Sequence, residues 1–246
     1  SFALVNRLVY EGISSVSTTI RVIAWTWGWQ GGCAREVIGM LPKEISVMNV
    51  SEQAVTKTIG GTQTSVLDYS ISVEGPGEYA LRNWRYAHES GHKAYAKIQA
   101  DNTWEIAAVP YIPVFEQIYR HARRLTEAGE SRPDGLMLSW SLGGYPSASL
   151  KLLAAFYEKG DSVPELKEIY GKMFPGADVD TLAEAIHAFS EAFAEYPFHL
   201  GSVYQGPQEH APANLLYERP TGFSATMTGF PYDDIDGWRS IFPLET

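Results

Sequence analysis

Between residues 20 and 140 the chain alternates short apolar runs with stretches of helical periodicity, and this alternation restricts its fold more than any other feature. The apolar runs fall at residues 20–27, 45–50, 66–73, 94–99 and 135–140. Helical spacing is read near 33–41, 78–90 and 111–128, with Pro113 placed in a first turn, where no intrahelical N–H is needed. Strands separated by helices build parallel β/α units, because parallel neighbours need the long crossover that a helix supplies. The fold class expected is α/β: a partial (β/α) TIM-like barrel of about five parallel strands over residues 1–146. Residues 147–246 form a helical and irregular C-terminal region packed on it, with helices near 148–158, 163–172 and 178–194.

In such a fold the carboxyl ends of the strands gather on one face, where the reacting groups of barrel enzymes sit. The residues at these ends are polar or aromatic. Trp25, Trp27 and Trp29 close the first run, Asn49 and Glu52 the second, Ser72 and Glu74 the third. Asn102, Trp104 and Glu105 follow the fourth, and Trp140 and Tyr145 the fifth. Two strands thus each deliver an amide and a carboxylic acid. Cleavage of a glycosidic bond needs one group to protonate the leaving oxygen and another to attack carbon or activate water, and carboxyl groups in different surroundings fill both roles. The indoles suit the apolar faces of pyranose rings. Glu105 and Glu52 are therefore the candidate catalytic pair, with Glu105 read as the general acid/base and Glu52 as the second carboxylate or an orienting group. Trp104, Asn102, Trp140, Tyr145, Trp27 and Asn49 are the candidate substrate contacts. The plainer readings are a loop acid or helix cap for Glu52, a partner of Lys97 or Arg120 for Glu105, core packing for each Trp, and a buried, hydrogen-bonded acid for Asp68.

Other chemistries find little support. The formal charge of −10 supplies no concentrated positive field for nucleic acid or an anionic membrane. No apolar run reaches the length of a membrane span. A single cysteine, Cys33, excludes an internal disulfide or a cysteine-rich metal site. His88 and His92 lack an acidic ligand at metal-site spacing, and no Gly-x-Ser-x-Gly elbow is present. Gly143-Gly144-Tyr145-Pro146 lacks the Lys-Ser/Thr ending of a phosphate loop. No cofactor and no metal are expected. His210, in a late polar loop, is a further candidate to cross the pocket.

At DYSISVEGPG, KAYAKIQADNTWE, LMLSWSLGGYPS and YQGPQEHAPANLLY the sequence resembles the C-terminal part of bacterial TIM-barrel proteins of glycoside-hydrolase-like type, in the broad group around the β-hexosaminidase-type and DUF4838-type barrels. The resemblance implies acids at strand ends and, in some members, participation of the substrate's own acetamido group. It carries this general pattern to Glu105 and Glu52 without fixing their separate roles.

The reading is a metal-independent glycoside hydrolase acting on a glycoside that carries, in one version, an N-acetylhexosamine. The alternatives are a carbohydrate-binding barrel without activity and a structural domain, in which Trp104, Trp140 and Glu105 would be buried and internally satisfied with no cleft between them. Helical periodicity already present at residue 2, and too few strands to close a barrel, lead to the expectation that the sequence is an excerpt. Its open strand edges would be covered by the rest of its polypeptide or by a second copy. A bacterial cytoplasmic or an exported location both fit, the latter if a signal peptide precedes the excerpt.

Overall fold

The computed structural model describes residues 2–29, 32–102, 105, 111–139, 147–205, 218–219, 221–223 and 240–243. Two strands, β1 (Ile23–Trp25) and β2 (Ser46–Val50), are followed by an antiparallel hairpin of β3 (Val55–Ile59) and β4 (Thr62–Val66). Then come β5 (Ala94–Ile98) and β6 (Gly135–Leu138). The order β1-β2-β5-β6 makes one sheet, parallel throughout, with Ala24 opposite Val47, Val47 opposite Ala94, and Val50 opposite Lys97. The chain is thus a mixed α/β fold, and its parallel sheet has four strands among the described residues.

The helices are α1 (Phe2–Ser14), α2 (Ala34–Met40), α3 (Glu78–Glu89), α4 (Phe115–Thr126), α5 (Ala148–Lys159), α6 (Leu166–Met173), α7 (Val179–Ala194) and α8 (Leu200–Gln205). Pro113 precedes α4 rather than lying in its first turn, a correction of two residues to the expected start. α3 shows why these segments are helical. Ala80, Asn83, Trp84 and Ala87 recur on one face and are buried, Glu78 favours the positive N-terminal end, and Gly91, at φ +79°, takes up the left-handed turn just beyond the last turn.

Side chains alternate between the two faces of a strand, so the register sorts the sheet. Ala24, Val47, Ala94 and Ala96 face the helical layer in a core with Ile38 of α2, Trp84 of α3 and Ile118 of α4. The opposite face carries Val50, which packs with Val66, Tyr69, Val73 and Phe198 beneath the hairpin. The hairpin is tied to the end of α7 and to the segment after it by one contact each. Lys57 Nζ donates to Ala194 O at 3.2 Å, a cation at a helix C-terminus, and Thr64 Oγ1 donates to Phe198 O at 2.8 Å.

The expected strand over 66–73 is corrected. Only Val66 belongs to a strand; after the exposed Leu67, residues 68–73 are all buried in an irregular segment, whereas a half-covered strand would alternate. Ser72 N–H and the Ser72 hydroxyl both bond Ser70 Oγ, at 3.0 and 2.7 Å, so side-chain oxygens replace ladder partners.

The start of α5 gives a direct test of local stabilisation. Ser147, buried, accepts from Leu150 N at 3.2 Å as the N-cap. Ser147→Ala is expected to cost about 1 kcal/mol, read as a lowered urea midpoint at unchanged slope; an unmoved midpoint would show that the cap contributes nothing.

Candidate active site

The carboxyl edge of the sheet is where polar side chains are buried together. Glu52 lies two residues past β2. Lys97 is within β5, on the Val50 face, and Gln99 follows that strand. Asp68, Tyr69 and Ser70 come from the irregular segment after β4, and Glu105 from the loop after β5. Parallel strands end together, which is how segments distant in sequence meet. Lys97 Nζ donates to Gln99 Oε1 at 2.7 Å and stands 3.4 Å from the centre of the Tyr69 ring. Gln99 N–H donates to Glu52 Oε1 at 2.6 Å, and Gln99 Nε2 to Asp101 O at 2.5 Å. Glu105 Oε1 accepts from the Ser70 hydroxyl and from Ile71 N, the latter at 3.1 Å.

Glu52 and Glu105 are both fully buried, and this decides their electrostatics. Burial pushes the Glu52 carboxyl up to about 7, against the lowering effects of the Lys97 charge and the Gln99 N–H; the Glu105 charge adds to the rise. Burial likewise lifts Asp68 to about 6, opposed by its bond from Trp27 and by Lys97. The Lys97 ammonium is pulled down to about 8 by burial, with Glu52, Asp68 and Glu105 all acting to hold its proton. Burial thus favours the neutral form of each of these three groups. Since Glu52 Oε1 already accepts the Gln99 N–H, and Glu52 Oε2 is buried with no hydrogen-bond partner among the described residues, the carboxyl proton belongs on Oε2.

A Ser-His pair lies alongside. Ser51 Oγ and His121 Nε2 are 2.7 Å apart, and His121 Nδ1 is 3.9 Å from Glu52 Oε1. Burial takes the imidazole down to about 3, with Arg124 adding to the fall, so the ring is neutral and the long contact to Glu52 is not an ion pair. The geometry also excludes Ser51 as an acyl-transfer nucleophile. Backbone covers it so closely that a Cβ on Gly75 would lie 2.5 Å from His121 Nε2 and 2.8 Å from Ser51 Oγ.

At the rim, Trp27 is 51% and Trp25 38% exposed, with ring centres 5.7 Å apart and an interplanar angle of 30°. Trp27 Nε1 donates to Asp68 Oδ1 at 2.9 Å, joining the indole pair to the acids. Trp29 does not continue the series. β1 ends at Trp25, the chain turns with Trp29 N bonded to Thr26 O, and Trp29 is buried against Phe2 of α1 at 5.9 Å.

Among the sequence candidates, Glu52 and Glu105 come within electrostatic reach of each other, with Trp27 linked through Asp68. Asn102 is buried beside them and donates to Glu105 O at 3.1 Å. Asn49 stands apart on the helical face of β2, its Nδ2 donating to Thr26 Oγ1 at 2.6 Å. Trp104, Trp140, Tyr145 and His210 lie outside the described residues. Glu74 neither caps α3 nor joins the acids; it pairs with Arg120 and Arg124. Lys97, which the sequence offers only as a partner for Glu105, joins the cluster, together with Ser70 and Tyr69, which the sequence does not single out. The available signal is a lysine inside the apolar run Ala94-Tyr95-Ala96-Lys97-Ile98, a charge that must find partners if that run is a strand.

Two other arrangements are set aside on physical grounds. Glu116, His187 and Glu191 bring ligand atoms within 4.8 Å of one another, but Arg120 already lies 3.1 Å from Glu116 and 3.5 Å from Glu191, filling the place of a cation. His88 and His92 have both ring nitrogens on protein oxygens: Glu130 O and Asp134 for one, Ile45 O and Ile38 O for the other. A cavity of about 420 Å³ between α5 and α6 has only exposed charges at its wall, and an apolar one of about 380 Å³ beside Phe115 and Phe189 has none; neither includes the acids. In a search of protein-family models, curated proteins and solved structures, the chain matches nothing.

Proposed function

We propose that the chain carries the acid–base site of a glycoside hydrolase on part of a (β/α) barrel, acting on a glycoside that carries, in one version, an N-acetylhexosamine. The observation that carries this reading is the burial of Glu52 and Glu105 in one polar cluster, with Glu52 poised to hold or release a proton near neutrality. In this reading Glu52, raised by burial to about 7, takes from Glu105 the role of proton donor to the leaving oxygen. Glu105, oriented by Ser70 and Ile71 N–H, is the second carboxylate. Trp27 and Trp25 offer the apolar faces on which a pyranose ring stacks. Exposed Ile23 and Trp25 on edge strand β1, and Leu136, Met137 and Leu138 on β6, support the covering of both edges by further chain or by a second copy.

The exposed Trp25–Trp27 pair, which lies outside the buried acids, favours a second reading, a carbohydrate-binding domain without turnover. The two separate in one assay. With aryl glycosides, an N-acetylhexosaminide among them, the wild-type chain is expected to release phenol, and Glu105→Gln to do so at least ~10²-fold more slowly with its thermal midpoint retained. Sugar binding without release by the wild type would establish the second reading, and neither binding nor release would reject both.

A further inference from the structure

We propose that the outward face of α1 (Phe2–Ser14) is a self-association surface, on which α1 of a second copy of this chain lies antiparallel about a two-fold axis near Leu8 and Val9. This face belongs to a helix, not to an edge strand, and its role is independent of the acid–base reading above.

α1 is apolar on both sides. Toward the body it sets Ala3, which is buried, and Tyr10 and Ile13, which pack half-buried against the helical-layer core. Turned away from the body are Leu4, Val5, Leu8 and Val9, with Val5 60% and Leu8 57% exposed. At about 100° per residue these four and Gly12 fall on a single arc of about 140°, and no charged residue of α1 lies inside it. A helix that shows water one side is polar on that side; a helix apolar all round is one that is covered.

The charges of α1 point to what covers it. Arg7 and Glu11 stand one turn apart on one border of the arc, beside Leu4 and Leu8, both exposed and with Arg7 Nε 3.9 Å from Glu11 Oε1. In an antiparallel pair about a two-fold axis, like borders face each other with their order reversed, so Arg7 of each copy comes opposite Glu11 of the other. A parallel pair would set this border against the opposite one, where Asn6 and Ile13 carry no charge. At Gly12 a Cβ would meet nothing within 4 Å, so two helices can approach closely there, and Leu8 of the other copy has a depression to fill. Copies of a chain with a net charge of −10 repel one another in general. α1, with one arginine and one glutamate, is neutral, so two copies can meet through it at little electrostatic cost.

The test is sedimentation-velocity ultracentrifugation of the full chain from about 1 to 200 μM, a range that brackets a micromolar interface of small area. The wild type should pass from monomer to dimer across it. Leu8→Asp should stay monomeric throughout, with the helical circular dichroism of the wild type retained, because the Leu8 side chain is largely exposed within one copy. Arg7→Glu and Glu11→Arg should each weaken association at least about threefold by setting like charges opposite each other, and the double variant should restore it to within about twofold. That restoration reads the antiparallel order even where Leu8→Asp fails to fold. A wild type that is monomeric at the highest concentration overturns the proposal, as does a monomer that co-sediments with phosphatidylcholine vesicles, since the face would then serve lipid. A dimer that survives Leu8→Asp but is dissolved by Ile23→Asp or Met137→Asp would belong to a strand edge and would overturn it too, as would single charge reversals that leave association unchanged or a double variant that does not restore it.

Discussion

Glu52→Gln is expected to lower glycoside turnover by a factor on the order of 10²–10⁴ and to abolish the loss of activity that accompanies a rise in pH through about 7. The substitution is close to isosteric. Gln keeps an oxygen to accept the Gln99 N–H, so the side chain stays in place, and it loses the proton assigned to Oε2. The sign of the pH effect follows from the role. An acid that donates to the leaving oxygen must be protonated, and because burial raises Glu52 to about 7, the competent fraction is nearly complete at pH 5, about half at pH 7 and small at pH 9. Wild-type kcat/KM should therefore fall tenfold per pH unit above that point, and the residual rate of Glu52→Gln should be flat there. A base role would invert the limb, with activity rising through pH 7. A variant that retains the wild-type rate and limb would remove Glu52 from the chemistry altogether. Measuring both against thermal midpoints keeps a folding defect from imitating a catalytic one.

The elements that could be read beforehand are those whose signal is local. Residues 45–50 and 94–98 are short apolar runs bounded by polar turns, and both became central strands of the parallel sheet. The helices at 78–89 and 179–194 repeat their buried residues at helical spacing and were legible nearly to their ends. Residues 66–73 misled because their alternation has the period of a strand, whereas their burial comes from hydroxyl and carboxyl partners contributed by Ser70, Ser72 and Glu105. The true strands there were signalled by Ile59-Gly60-Gly61-Thr62. Both glycines have positive φ, +53° and +80°, the conformation required at the tip of a tight two-residue hairpin, and β-branched residues alternate on either side. At the site, the strand-end positions of Glu52 and Glu105 were legible because a parallel sheet gathers its carboxyl ends. Lys97 was legible only as a partner for Glu105, because a strand lysine looks like an edge or surface residue until the register places it beside Val50 and under Tyr69. Asn49 illustrates the opposite error. It is a polar residue near a strand end whose parity turns it to the helical layer, where Thr26 satisfies it.

Trp84→Ala is expected to cost about 3–5 kcal/mol of unfolding free energy, the largest single loss of stability among these substitutions. Trp84 has no exposed surface, sits on the buried face of α3, and packs in the core shared with Val47, Ala94 and Ala96. Those neighbours are small. The alanines of β5 leave room for one large ring, and the space it would vacate adds a cavity penalty to the lost burial. The indole also donates from Nε1 to Tyr95 O at 3.0 Å, so truncation leaves a strand carbonyl short of a side-chain donor. A domain whose total stability is typically about 5–15 kcal/mol loses a large fraction of it in this way. The consequence reaches the site, because α3 is the helix that packs on both β2 and β5, the strands that lead into Glu52 and carry Lys97. Urea unfolding should show a much lower midpoint with little change in slope, and carboxyl titrations of the surviving folded fraction should broaden as the strand ends loosen. Trp25→Ala is the control. That ring is 38% exposed on an edge strand, and its removal should cost under about 1 kcal/mol. If the two substitutions proved equally mild, the packing of α3 on the sheet would not be what fixes the strand ends, and the position of the acid cluster would need another source.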